Sequence, residues 1–281
     1  MIKSVLVALD SGENMDIVLK YGLELAQYFE SEVHGIHVLD VRKLYSPFME
    51  DVLYSAGLSS VPNLQALVRE RMEKLKSILH SAWKHGSDQH HLKGTFQCPE
   101  GIVSEELANE ARKHDLLVIG TKGENFQLSQ LLVGSTFNEV VQLVNRPILV
   151  VPNQVNRFYI RRVLVAYDGS PRSNNALHFV IQSVRDYNLE CELVVCKDEA
   201  LLDAENVLTE AKEILQRASI EFNARMIQGP ASQMILDHAI VSNCDLICMG
   251  RYSGAFIKDL FVGGVARQVL TQSQIPILLM Q

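Results

Sequence analysis

The residues of this chain most suited to chemistry are three glycines and the hydroxyls that follow them. Gly120 and Gly123 bracket Lys122, and Gly134 precedes Ser135 and Thr136. The apolar run Leu116–Ile119 before them reads as a buried strand, and Pro147–Val151 after them reads as another. Glycine keeps side chains out of a turn, so backbone N–H groups can close on an anion. A helix N-terminus adds the positive end of its dipole. Thr136 with Glu139 three residues later fits a capping box, and Phe137, Val140, Val141 and Val144 follow at helical spacing. Such an arrangement suits a phosphate chain. A tight strand-to-helix turn that needs only small residues accounts for the same glycines equally well.

Asp10 closes the first apolar run, residues 3–9. In a parallel sheet it would stand at the C-terminal edge, outside which ligands bind. A carboxylate there can accept hydrogen bonds from ribose hydroxyls or an adenine amine, or it can cap the next helix with Ser11. Catalytic signatures are missing: the chain holds no Gly-x-Ser-x-Gly elbow, no His-Glu-x-x-His and no phosphate loop ending Gly-Lys-Ser/Thr. His80, His85, His90 and His91, beside Trp83, read as a solvated helix end, and His37 reads as a core histidine.

The elements that must position these residues come in duplicate. Val5-Leu-Val-Ala-Leu-Asp10 recurs as Val163-Leu-Val-Ala-Tyr-Asp168, and Gly35-Ile-His-Val38 as Glu192-Leu-Val-Val195. Gly101-Ile-Val-Ser recurs as Gly229-Pro-Ala-Ser, and Asp115-Leu-Leu-Val-Ile-Gly120 as Asp245-Leu-Ile-Cys-Met-Gly250. Gly134-Ser135 has Gly263-Gly264 as its counterpart, and Arg146-Pro-Ile-Leu-Val-Val has Ile275-Pro-Ile-Leu-Leu-Met. Matches in one order mean duplication. Strands alternate with helices in each half, as in a parallel sheet covered on both faces. The expected fold is α/β, with two tandem five-stranded, open-twisted parallel sheets in domains 1–153 and 158–281. Ser170 with Pro171 after it is the expected cap of the second half's first helix. Arg157, Arg161 and Arg162 read as a solvated linker leading into a strand.

The halves differ in one place. From Val38 to Gly101 is 63 positions, and from Val195 to Gly229 is 34, so the first half carries about 29 more, mostly Arg42–Asn63. Its Tyr45, Phe48 and Tyr54 suggest a packed flap that gates a site or meets a partner.

Composition narrows the field. The 281 residues, 47% hydrophobic and 21% charged, fit two domains of a soluble globular protein. A net charge of -7 makes no electrostatic case for nucleic acid, and no apolar run reaches a membrane span. The N-terminus meets Asp10 too early for a signal-peptide core. Of the cysteines, Cys191, Cys196, Cys244 and Cys248 lie in or beside apolar runs, which implies reduced thiols and a cytoplasmic home. Cys244 and Cys248 lack the partner ligands of a zinc site.

The glycine–hydroxyl stretch resembles the nucleotide-binding signature of the universal stress protein family: Gly, two residues, Gly, nine residues, Gly, then Ser or Thr. Here ten residues separate Gly123 from Gly134. The resemblance covers nearly the whole chain as two tandem domains and implies a Rossmann-like fold akin to the adenine-nucleotide alpha-hydrolases. The hydrolases' own Ser-Gly-Gly-x-Asp-Ser loop is not matched by Asp10-Ser-Gly-Glu-Asn. The resemblance also implies a stress-response protein in which ATP or ADP, with or without Mg2+, acts as a sensor or switch signal. Any hydrolysis would be slow. It places Asp10 against the nucleoside, the Val38 backbone against adenine and Gly101 near the ribose. Gly120, Lys122, Gly123, Gly134, Ser135 and Thr136 would lie on the phosphates. The proline that commonly stands two positions after that ribose glycine is Val103 here. A weaker second site would use Asp168, Val195, Gly229, Gly250, Ser253, Gly263 and Gly264, without the closing hydroxyl. The alternatives are a nucleotide-free module for an unidentified protein partner and a slow ATP-hydrolysing enzyme. Single-domain members commonly dimerise through the last strand, so the halves are expected to pair there as an internal pseudo-dimer. A homodimer of whole chains stays open.

Overall fold

The computed structural model describes residues 2–10, 12, 14–44, 64–121, 135–155, 157–198, 201, 203–251 and 264–281. In the first half, β1 (Ser4–Ala8), α1 (Met15–Tyr28), β2 (Glu32–Ile36), β3 (Leu39–Asp40) and α2 (Val41–Leu44) come first. After them come α3 (Leu64–Gln89), β4 (Phe96–Gln97), β5 (Glu100–Gly101), α4 (Val103–Ala111), β6 (Leu116–Gly120), α5 (Ser135–Leu143) and β7 (Ile148–Val151). The second half holds β8 (Arg162–Ala166), α6 (Pro171–Tyr187), β9 (Glu190–Lys197), α7 (Ala204–Arg217) and β10 (Phe222–Gln228). It ends with α8 (Ala231–Val241), β11 (Leu246–Gly250), α9 (Gly264–Gln272) and β12 (Ile277–Met280).

Ten strands form one sheet in the order β10-β9-β8-β11-β12-β7-β6-β1-β2-β4. Neighbours within each half run parallel, and the halves meet where β12 pairs antiparallel with β7, Leu278 opposite Leu149. The two apolar last strands thus cover each other's edges, which an exposed apolar edge strand requires. A pseudo-twofold axis stands between them, perpendicular to the sheet, so the C-terminal strand edges of the two halves point to opposite ends of the molecule.

Alternation along the strands divides the core into two layers. Val5, Val7, Leu116 and Val118 face one side with α1, α3, α6 and α7. Leu6, Leu117, Ile119, Ile148 and Val150 face the other with α4, α5, α8 and α9. Both layers run unbroken across the junction. The near-continuous apolar strands are those of a sheet buried on both faces.

In the linker Arg157 and Arg161 stay exposed and Arg162 opens β8, as expected, while Phe158 docks it, stacking edge-on with Tyr21 at 5.1 Å and donating its N–H to Glu24 at 3.0 Å. Aromatic burial outweighs the charge of the neighbouring arginines, and Arg161 and Arg162 are themselves paired with Glu190. The outer strand of the first half is short, Phe96–Gln97, and the chain continues into β5 beside β3. The long helix α3 leads into this outer strand, and its Trp83 is buried. Trp83 covers Gly35, where a Cβ would meet its ring at 2.5 Å. The greater part of the flap, 45–63, lies outside the described residues.

Ser170 caps α6 as expected, its hydroxyl accepting the Ser173 N–H at 3.2 Å with Pro171 behind it. The cysteines are free, and all but the half-buried Cys98 are buried. Burial pushes the thiol pKa of Cys191 and Cys244 up to about 12 and that of Cys196 to about 11, so these groups stay protonated and inert. Among the described residues no His, Cys, Asp and Glu cluster could hold a metal ion.

Candidate nucleotide site

In each half the strand order, numbered within the half, is 3-2-1-4-5. The chain leaves β1 toward β2 on one side and returns to β6 on the other. The order therefore reverses between β1 and β6, and a crevice opens outside their C-terminal edges. Asp10 follows β1, Val38 follows β2, Gly120 ends β6, and Ser135 and Thr136 open α5. Gly101 comes to the same edge through β5, paired with Asp40 of β3. Lys122, Gly123 and Gly134, and in the second half Ser253 and Gly263, lie outside the described residues.

The backbone of Val38 is oriented by its neighbours. His37 donates its N–H to Gln97 at 3.0 Å and Leu39 donates to Pro99 at 2.9 Å, both away from β1. Alternate residues of a strand present their peptide groups to opposite neighbours, so Ile36 and Val38 face the β1 side. Ile36 O receives Leu9 N–H at 2.8 Å. Regular β1 has ended at Ala8, and the next peptide edge, that of Val38, looks past it toward the crevice beside Asp10. The buried His37 ring joins the two strand ends, its Nδ1 lying 2.8 Å from Leu9 O. It serves as the core histidine its sequence setting suggested.

Polar side chains missed in the sequence surround this edge. Asn14 and Thr121 both bond Asn153 Oδ1, the latter at 3.2 Å, tying together the start of α1 and the ends of β6 and β7. Arg42 grips Asp40 in a fork of 2.9 Å bonds from Nε and Nη2, which keeps its guanidinium protonated. Arg42 also lies 3.7 Å from Glu139. The Asp-x-Arg spacing of 40 and 42 was the only local signal for this group.

The capping box is not formed as expected. Helix α5 starts at Ser135, so Thr136 is already inside it. Glu139 instead accepts from the buried Ser104 hydroxyl of α4 at 2.8 Å. The link recurs as Ser232 bonding Gln268, from α8 to α9. Each half therefore pins the helix that carries its Gly-Ser or Gly-Gly turn to the helix before it. Gly101 precedes Ile102, the N-cap of α4. It is a strand residue kept small because a Cβ would meet Glu106 Cγ at 2.6 Å.

The second edge is built from the same positions with other partners. Ala8 stands opposite Ile36, and Ala166 opposite Val194. The counterpart of Val38 is therefore Cys196, not Val195. The glycine-free strand β9 had hidden a one-residue slip, and Val195 points into the opposite core layer. Asp168 Oδ1 accepts the Ser170 N–H at 3.0 Å, so the carboxylate is folded onto the helix cap. Gly229 has φ +141 and lies against Met234. A Cβ on Gly250 would meet Arg172 Cβ at 2.9 Å and Ser173 N at 3.1 Å, whereas a Cβ on Gly120 would meet Val18 Cγ2 at 3.0 Å. Gly264 opens α9 with none of the described residues within 4 Å of its Cβ position.

Comparison with known proteins agrees with this architecture. The chain is 25% identical to a universal stress protein of Synechocystis sp. over 99% of both chains. It is 29% identical to a universal stress protein of Methanocaldococcus jannaschii over 54% of this chain and 82% of that one. A universal stress protein of Archaeoglobus fulgidus superimposes with a TM-score of 0.75 at 19% identity, over 99% of this chain and 98% of the other. The profile of the universal stress protein family matches residues 1–152 and again 160–281, and the chain belongs to that family.

Proposed function

We propose that the first half binds an adenine nucleotide, ATP or ADP, and that the protein acts in the stress response as a nucleotide-dependent switch rather than as a catalyst. The observation that carries this reading is the crevice at the β1–β6 reversal. There the Val38 peptide edge faces out beside Asp10, with α5 opening on the same edge. A peptide N–H and C=O side by side match the acceptor and amine edge of adenine. Asp10 supplies an acceptor for ribose hydroxyls, and the glycine-flanked start of α5 supplies N–H groups and a positive dipole end for phosphate. These residue types fit the whole of such a ligand, base to phosphate, without a basic patch.

For the second half a nucleotide-free role is favoured. Asp168 is engaged in its own helix cap, and the start of α6 lies against Gly250. This half then serves as a structural partner of the first and as a surface for another protein.

Native mass spectrometry of the full chain with ATP tests the reading. One nucleotide per chain is expected, and Gly134→Val should abolish it by setting a branched side chain where amides must reach the anion. Absence of any ATP or ADP adduct in the millimolar range, or an undiminished adduct in a folded Gly134→Val protein, would overturn it.

A further inference from the structure

We infer that Arg251, a residue of the second half, is a positioning residue for the nucleotide site of the first; the inference rests on the reading of that site proposed above. Arg251 directly follows Gly250 at the end of β11, and its N–H donates to Met280 O at 2.9 Å. That bond fixes its backbone beside the junction strand β12. Its side chain is 1% exposed and crosses the junction. Nη1 donates to Val141 O and, at 2.7 Å, to Val144 O, at the C-terminal end of α5 in the other half.

Carbonyls in the last turn of a helix have no partner within it, and a cation there meets the negative end of the dipole. A buried guanidinium needs such acceptors, because charge taken out of water is costly unless fully bonded. Arginine and helix end therefore stabilise each other, and the second half fixes where α5 ends. Glu139 on Ser104 holds the middle of α5 from within the first half. Its other end is its start, Ser135-Thr136, assigned to the phosphates. A helix moves as a rod, so slack at its C-terminus becomes misplacement at its N-terminus. The adenosine end, Asp10 and the Val38 peptide, stands on β1 and β2 and is out of reach of Arg251.

The support runs one way. The position of the first half matching Arg251 is Thr121, whose N–H donates to Val151 O at 3.3 Å. Its hydroxyl stays at home, on Asn153 at 3.2 Å.

Arg251 therefore affects phosphate binding and leaves adenosine binding alone, a split that general loss of stability would not produce. The test uses the full-length chain as wild type, Arg251→Met and Arg251→Lys. ATP is titrated by calorimetry and adenosine by ligand-observed NMR, with a thermal melt of each protein. Arg251→Met is expected to weaken ATP about tenfold or more and adenosine less than about twofold, with Arg251→Lys between it and wild type. Should the methionine variant not fold, the lysine variant, which keeps a cation and donors, must show the same selective loss in smaller measure. Equal weakening of ATP and adenosine, or no change in either, overturns the inference while leaving nucleotide binding intact. A wild-type protein that binds neither ligand overturns both.

Discussion

The two halves present the same strand edge, and they use it differently. In the first, Asp10 and the Val38 peptide border the crevice, and the residue after Gly120 bonds locally to Asn153. In the second, Asp168 is drawn into the α6 cap, the start of α6 lies against Gly250, and the residue after Gly250 leaves for the other half. The sheet order is identical, so the fold does not decide what the edge does. The few residues that follow each strand decide it. Duplication supplied two copies of one strand edge, and in the second copy Arg251 bonds across the junction to the end of α5.

The largest effect should come from breaking the junction itself. Ile277 and Leu279 are both fully buried on β12, opposite β7. Ile277→Lys with Leu279→Lys would bury two unpaired charges, at roughly 3 kcal/mol or more each. Separate unfolding transitions of the halves, or an expanded scattering envelope, are expected. A compact particle with one cooperative transition would mean the halves are held by something other than β7–β12.

Next come the paired glycines. Gly250→Ala should cost about 1–3 kcal/mol, because the new methyl meets the backbone N of Ser173, which cannot swing aside. Gly120→Ala meets one Val18 methyl and should cost less than about 1 kcal/mol in urea unfolding, while weakening ATP. Equal stability costs would erase the claimed difference in packing at the two edges.

Smaller again is the helix cap. Ser170→Ala removes the acceptor for Ser173 N–H and should destabilise by about 1 kcal/mol without changing ATP affinity. Asn14, at the corresponding start of α1, makes no cap bond and reaches Asn153 instead. Asn14→Ala should therefore lower ATP affinity. Unchanged affinity there, or a loss in Ser170→Ala, would reverse the roles assigned to the two caps.

The smallest effect is a pH dependence confined to the first half. Burial holds the His114 pKa below its usual value, with the nearby His34 ring acting in the same direction. The folded state thus prefers neutral His114, and its contribution is present above the unfolded pKa, near 6.5. It declines as pH falls below that value toward the folded pKa. Trp83, the chain's single tryptophan, reports on this half. Its fluorescence-detected stability should fall on acidification, and the fall should flatten in His114→Gln. An identical pH slope in that variant would remove His114 from the account.

The sequence disclosed most of the fold because both strand faces are buried. Runs such as Val163–Val165 and Ile247–Cys248 leave no other role for themselves, and repetition in the same order doubled the signal. It also disclosed the first edge, since Asp10 and Gly120 end apolar runs where the period changes. It hid whatever depends on partners far apart in sequence. Glu139 looked like a local cap and serves Ser104, 35 residues away, and Arg251, which no sequence pattern singled out, bonds α5 across the junction. The slip between Val195 and Cys196 has a related cause. The apolar run Leu193–Cys196 offers no mark to fix the register, which the parallel pairing with β8 sets.

The most direct test of the account is a calorimetric titration of ATP into the wild type, Asp10→Asn and Asp168→Asn. Asparagine keeps the shape of either side chain and leaves an oxygen to accept Ser170 N–H at position 168. One ATP per wild-type chain is expected, with affinity lowered about tenfold or more in Asp10→Asn and unchanged in Asp168→Asn. Two equivalent sites per chain, or a loss in Asp168→Asn as large as that in Asp10→Asn, would contradict it.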